Sequence, residues 1–153
     1  MYTKILVPLD GSETAECVFP PLRWFLQVSK VNEVIFVRVV EPFHAGMGVE
    51  GSIPPGERRH LEHDASALAR DYLEKASAEF ASPAIRVNRV VLEGNPAETI
   101  GKYVADAEVD LIIMATHGHS GFHRWIRGSV ADEILHAAHV PVLLVRPGDR
   151  APD

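Results

Sequence analysis

From Thr116 to Ser129 the chain carries Gly118, Gly121 and Gly128, Arg124 and Arg127, three histidines and no acidic residue, although its net charge is −6. Glycines let backbone N–H groups come close to a phosphate, and Gly128-Ser129 opens a helical pattern whose first-turn donors favour an anion. The segment has the makings of a phosphate site. Composition alone equally supports a solvated loop with glycines for turn geometry, since Asp132 and Glu133 answer the dipole of the next helix without any ligand. The commonest phosphate motifs are absent: there is no GxxxxGK[ST], and Asp10-Gly11-Ser12-Glu13 lacks GxGxxG. His117, His119 and His123, like His136 and His139, are joined by no cysteine or glutamate at a recognised metal-ligand spacing. His136 and His139 suit a helix C-terminus instead. Cys17 lacks a nearby histidine to activate it and reads as a small core residue. Trp24, Phe25 and Trp125 read as core or interface packing rather than as base-stacking platforms.

The elements that must position these residues alternate between strand and helix. Lys4 to Leu9 is a short apolar run ending in Asp10-Gly11-Ser12, where Ser12 suits a helix cap. The helix expected over about 13–29 contains Pro20-Pro21, which should kink or restart it. Glu33 to Val40 reads as a strand covered on both faces. Phe43 to Gly56 is rich in Gly and Pro and reads as a long, mobile surface loop, followed by an amphipathic helix over about 57–80. A third strand spans Ile85 to Leu92, and Gly94-Asn95-Pro96 leads into a shorter helix through Ala107. A strand over Asp110 to Ala115, a helix over about Ser129 to Ala138 and a strand over Pro141 to Arg146 complete the pattern. Such alternation requires crossover connections and hence a mostly parallel sheet with helices on both faces. Ligands in open sheets of this kind bind beyond the carboxyl ends of the strands, where strand order reverses. The residues at those ends are Asp10, Glu41, Glu93 and the segment from Thr116 to Gly121.

With 153 residues and 46% apolar composition the chain is expected to form one domain over residues 1–153, with a short C-terminal tail at 147–153. The acidic balance argues against a nucleic-acid or anionic-membrane partner. One cysteine and no secretory h-region predict the reducing cytoplasm. No apolar run approaches the roughly 18 residues of a membrane span.

Four segments together carry a resemblance: Lys4-Ile5-Leu6-Val7-Pro8-Leu9-Asp10-Gly11-Ser12-Glu13, Ala115-Thr116-His117-Gly118, Gly128-Ser129-Val130-Ala131 and Pro141-Val142-Leu143-Leu144-Val145. The chain resembles the universal stress protein family from end to end. Nucleotide-binding members carry a glycine, two residues, a glycine, nine residues, then Gly followed by Ser or Thr. Gly118, the nine residues His119 to Arg127 and Gly128-Ser129 fit, whereas Ala115 replaces the first glycine. The resemblance implies a Rossmann-like α/β fold with a five-stranded parallel sheet of order 3-2-1-4-5, which sets Asp10 beside the Gly118 loop. It also implies an ATP, ADP or AMP site, with Mg²⁺, in which Asp10 meets the ribose hydroxyls and the backbone of Val39 the adenine edge. Gly118, Gly128 and Ser129 would take the phosphates, with Pro8, Ala115 and Val130 completing the lining. A carboxylate accepting two hydroxyls is sound chemistry, and a turn residue bonded to its own backbone is the plainer alternative for Asp10. If residue 115 needs a positive φ, alanine costs on the order of 1–2 kcal/mol; otherwise the change adds only a methyl group.

No acidic pair flanks the glycine loop to supply a base and a metal clamp, so slow ATP hydrolysis is the most that is indicated. A response-regulator receiver would need clustered acids after the first strand and a lysine after the last, where Val145-Arg146-Pro147 has none. Two functions remain: a nucleotide-responsive stress regulator, or a nucleotide-free stress protein acting through dimerisation and protein contacts. The resemblance implies a homodimer, and pairing through the apolar last strand would protect that edge from aggregation.

Overall fold

A computed structural model describes residues 2–42, 54–116 and 130–147. Strands β1 (Lys4–Pro8), β2 (Glu33–Val40), β3 (Arg86–Glu93), β4 (Leu111–Ala115) and β5 (Val142–Val145) form one sheet in the order β3-β2-β1-β4-β5. Every neighbouring pair is parallel. The helices between them are α1 (Phe19–Val28), α2 (Pro55–Ser77), α3 (Pro96–Asp106) and α4 (Val130–Ala137).

Alternation of side chains along each strand divides the core in two. Ile5, Val7, Val34, Phe36, Leu111 and Ile113 face one cluster, which also takes Phe19 and Leu22 of α1 and Leu73 of α2. Leu6, Ile35, Val37, Ile112 and Met114 face the other, with Ile100 and Val104 of α3 and Ile134 of α4. β1 is buried on both faces because it lies at the centre of the sheet, which is why its sequence is an unbroken apolar run. Phe36 is wholly buried in a triangle of rings with Phe19 and Phe80, at centroid distances of 6.4 and 5.3 Å. Each such side chain contributes about 1.5–3 kcal/mol by leaving water.

Pro20 and Pro21 restart the first helix rather than bend it. A 3-10 turn over Ala15–Val18 precedes α1, and the prolines fall in the first turn of α1, where backbone N–H groups have no helical acceptor in any case. Asn95 caps α3 by accepting from the Glu98 N–H at 3.1 Å, with Pro96 in the first turn. Element boundaries otherwise lie within one to three residues of the sequence reading, the long helix closing as a 3-10 turn over Ala78–Phe80. Trp24, expected in the core or at an interface, lies outside the core: it is 58% exposed and meets Phe25 edge-on. None of the described helices is long and apolar enough to cross a membrane.

Candidate functional site

Strand order reverses at β1, whose neighbours are β2 and β4. The seam between β1 and β4 is tied at its amino end, and its ladder stops short of the carboxyl ends of both strands. At the amino end the Asp110 carboxylate accepts from the Thr3 N–H and hydroxyl, both at 2.8 Å, and from the Lys4 N–H at 3.1 Å. Only Ile5 and Leu6 are then in register with β4, opposite Leu111 and Ile112, whereas β1 pairs with β2 along its whole length.

Pro8 accounts for that early end. Even-numbered residues of β1 turn their backbone groups toward β4, where the Lys4 carbonyl accepts from Asp110, and odd-numbered ones toward β2, where the Leu9 N–H donates to the Val37 carbonyl. The rung after Leu6 would need an N–H at residue 8 aimed at the carbonyl of Ile113, and proline has none. The same alternation directs the backbone of Ala115 toward the β1 side, because its neighbour Thr116 donates to Val145 on the far side at 2.9 Å. It likewise directs the backbone of Val39 past the end of β1, since the Val37 carbonyl faces β1 and the Val40 carbonyl accepts from Gly94 of the β3 side.

Ala115 answers the question its sequence raised. Glu108 alone among the described non-glycine residues has a positive φ, so alanine at 115 carries no left-handed strain. Its methyl packs against the core cluster under α1 and α2, leaving to the crevice the backbone that any residue would present.

Asp10 lies just beyond the carboxyl end of β1 in a tight turn. Its Oδ1 accepts from the Ser12 N–H at 2.9 Å and the Ser12 hydroxyl at 2.6 Å. The Ser12 oxygen in turn accepts from the Ala15 N–H at 3.1 Å, so Ser12 caps the 3-10 turn rather than α1. The turn reading of Asp10 is therefore realised. Two bonds to one carboxylate oxygen fix the direction of the group. Gly11 supplies the φ of +88° that the turn requires.

Behind the turn lies a network that the sequence reading missed. The Arg38 guanidinium of β2 presses on Gly11 and sits 5.4 Å from the centre of the Tyr72 ring of α2. The Tyr72 hydroxyl donates to Glu16 at 3.0 Å. Burial first, then the bond to Glu16 and the negative charges of Glu16 and Asp10, push the Tyr72 phenol well above its ordinary range, against a smaller opposing pull from Arg38. The available signal was a single cation inside the otherwise apolar run Val34 to Val40.

Of the other expected site residues, Val130 begins α4 and packs half-buried on the second core cluster, with Asp132 and Glu133 in the same first turn. Gly118, Gly128 and Ser129 lie outside the described residues, as do Arg124, Arg127, His117, His119 and His123. Glu41 is exposed beyond β2, and Glu93 accepts from Ser66 at 3.4 Å. Cys17 is half-buried against the first core cluster, and burial raises its thiol above the ordinary value. His136 Nδ1 lies 2.7 Å from the Asp132 carbonyl in the last turn of α4. Among the described residues no three His, Cys, Asp or Glu side chains converge to hold a metal. A surface cavity of about 350 Å³ lies at the opposite end of the sheet, beside Asn32 and Arg86. The carboxylate lining it, Glu33, is already engaged by Asn88, Lys4 and Arg86.

Comparison with known proteins adds sequence and structural kinship. The family model described as the universal stress protein family matches residues 1–146. Universal stress protein MJ0577 of Methanocaldococcus jannaschii is 31% identical over 156 residues, covering 95% of this chain and 96% of its own. The solved structure of MJ0577 superposes with a TM-score of 0.80 at 28% identity, covering 97% and 99% of the two chains. A universal stress protein solved in complex with cAMP shares the fold at a TM-score of 0.62 and 16% identity, covering 96% and 98% of the two chains. An Arabidopsis thaliana family protein with AMP bound does so at 0.60 and 15%, covering 95% and 92%.

Proposed function

The chain belongs to the universal stress protein family, and from that premise we propose that it binds an adenine nucleotide, ATP or its ADP and AMP forms, in the crevice between β1 and β4. The observation that carries this reading is the early end of the β1–β4 ladder at Leu6 and Ile112, with the oriented Asp10 carboxylate at the resulting mouth. Asp10 is suited to accept the ribose hydroxyls, and the backbone of Val39 to meet the adenine edge. Ala115 and Pro8 line the opposite walls of the gap, with Val130 at the first turn of the helix beyond it. Gly118, Gly128 and Ser129 are assigned to the phosphates by the family spacing. Magnesium would travel with those phosphates and supply charge neutralisation there. That two more distant relatives of the same fold were solved with AMP and cAMP is consistent with this ligand class. The protein would act as a nucleotide-responsive regulator in the cytoplasm, as a homodimer joined through the exposed side of β5.

Calorimetric titration of nucleotide-stripped, folded protein with Mg-ATP, ADP and AMP tests the proposal. Saturable micromolar binding is expected, lost in Gly118→Val and weakened in Asp10→Ala by about tenfold, the worth of hydrogen bonds to a charged acceptor. No binding up to millimolar nucleotide would overturn it and leave the reading of a stress protein that works through protein contacts alone.

A further inference from the structure

We propose that Arg38 is a positioning residue for ribose recognition: its guanidinium holds the Asp10-Gly11-Ser12 turn in the form that presents the Asp10 carboxylate. The ribose part of this inference rests on the nucleotide reading above; the hold on the turn stands on this chain alone.

On the face of β2 that meets α1 and α2, Val34 and Phe36 are fully buried, and the next position on that face is a cation. A guanidinium brought partly out of water needs partners. Arg38 has the face of the Tyr72 ring at 5.4 Å, and Tyr72 is itself anchored by its bond to Glu16 at 3.0 Å. A second described neighbour is the turn. A methyl group built on Gly11 would stand 2.8 Å from Nη1, 3.0 Å from Cζ and 3.1 Å from Nη2, so the flat guanidinium occupies the space that any side chain at residue 11 would fill. Gly11 is thus fixed twice, by its φ of +88° and by this contact. The turn is tied from within by the Ser12 bonds to Asp10 and backed from without by Arg38, which Tyr72 braces. Asp10 and Arg38 also both act on the Tyr72 phenol, with opposite sign, which puts the three groups in one electrostatic neighbourhood.

The test compares wild type with Arg38→Met, which keeps a long apolar stem, and with Arg38→Lys, which keeps the charge and loses the plane. Two readouts are needed: hydrogen exchange of the Ser12 amide relative to the core amide of Ile35, and calorimetric affinity for Mg-ATP against 2′,3′-dideoxy-ATP. In Arg38→Met, Ser12 exchange is expected to accelerate by about tenfold with Ile35 unchanged, as for a local opening. Mg-ATP affinity is expected to fall by about tenfold while the dideoxy analogue stays within about a factor of two, because the loss is confined to the ribose hydroxyls. Arg38→Lys is expected to behave like Arg38→Met. An unchanged Ser12 rate, equal weakening of both nucleotides, or full recovery by lysine would each overturn the proposal. If the wild type binds neither nucleotide, the nucleotide reading fails and takes the ribose role with it, while the Ser12 rate still decides whether Arg38 holds the turn.

Discussion

Tyr72 shows how one side chain can carry both packing and a proton ledger. Its ring covers Arg38 and its hydroxyl bonds Glu16, so Tyr72→Phe at pH 7 is expected to cost about 1 kcal/mol, the usual net worth of one hydrogen bond. The pH dependence has a definite sign. Because burial and the Glu16 bond raise the phenol above its ordinary value of 10.0, the folded chain keeps a proton that the unfolded chain releases. The resulting stability is complete below about pH 10 and is lost as pH rises above it. Urea unfolding between pH 7 and 11 should therefore show a steeper alkaline loss in the wild type than in Tyr72→Phe. Parallel curves would mean that the phenol is no better protected in the folded chain than in the unfolded one. At the same scale, Ala115 is a reminder that the cost of replacing a glycine depends on φ and on where the methyl goes. Here φ is not left-handed and the methyl joins a core cluster.

Among the elements, β1 sets where pairing with β4 stops, because the proline near its end silences the donor that would extend it. Pro8→Ala restores an N–H aimed at the Ile113 carbonyl. Its amide is expected to become protected from hydrogen exchange while nucleotide affinity falls, as the seam closes by one rung. A residue 8 amide that exchanges like a free loop amide would show that the ladder ends for another reason. The sheet elements were legible in the sequence to within one to three residues because parallel strands buried on both faces must be almost wholly apolar, as Val34 to Val37 are. The Pro20-Pro21 ambiguity was not resolvable from sequence. Proline is tolerated in the first turn and disruptive four residues later, and which applies depends on where Phe19 docks onto Phe36 and Phe80.

For the whole molecule, the sheet has two edges of different character. β3 carries Arg86, Asn88, Arg89 and Glu93, charged and polar side chains of the kind that discourage edge pairing. β5 is short and apolar, with Leu144 at 36% exposure. Pairing of two copies through β5 would cover that edge. Leu144→Lys is expected to convert the proposed homodimer to a 16.8 kDa monomer in light scattering, with the helical signal in circular dichroism unchanged; an unaltered dimer would move the interface elsewhere. Strand–helix alternation and Asp10 at the end of the first strand were readable from the residues, because crossover connections and turn residues are local rules, whereas the strand order and the seam beside Asp10 came only from the resemblance of the whole sequence to a family. What only the tertiary structure decided are relations between residues distant in the chain. Arg38 reaches Gly11, Tyr72 of α2 reaches Glu16, and the Ala115 methyl reaches the core under α1 and α2. No spacing rule encodes such contacts, because they depend on how two layers of helices settle onto a twisted sheet.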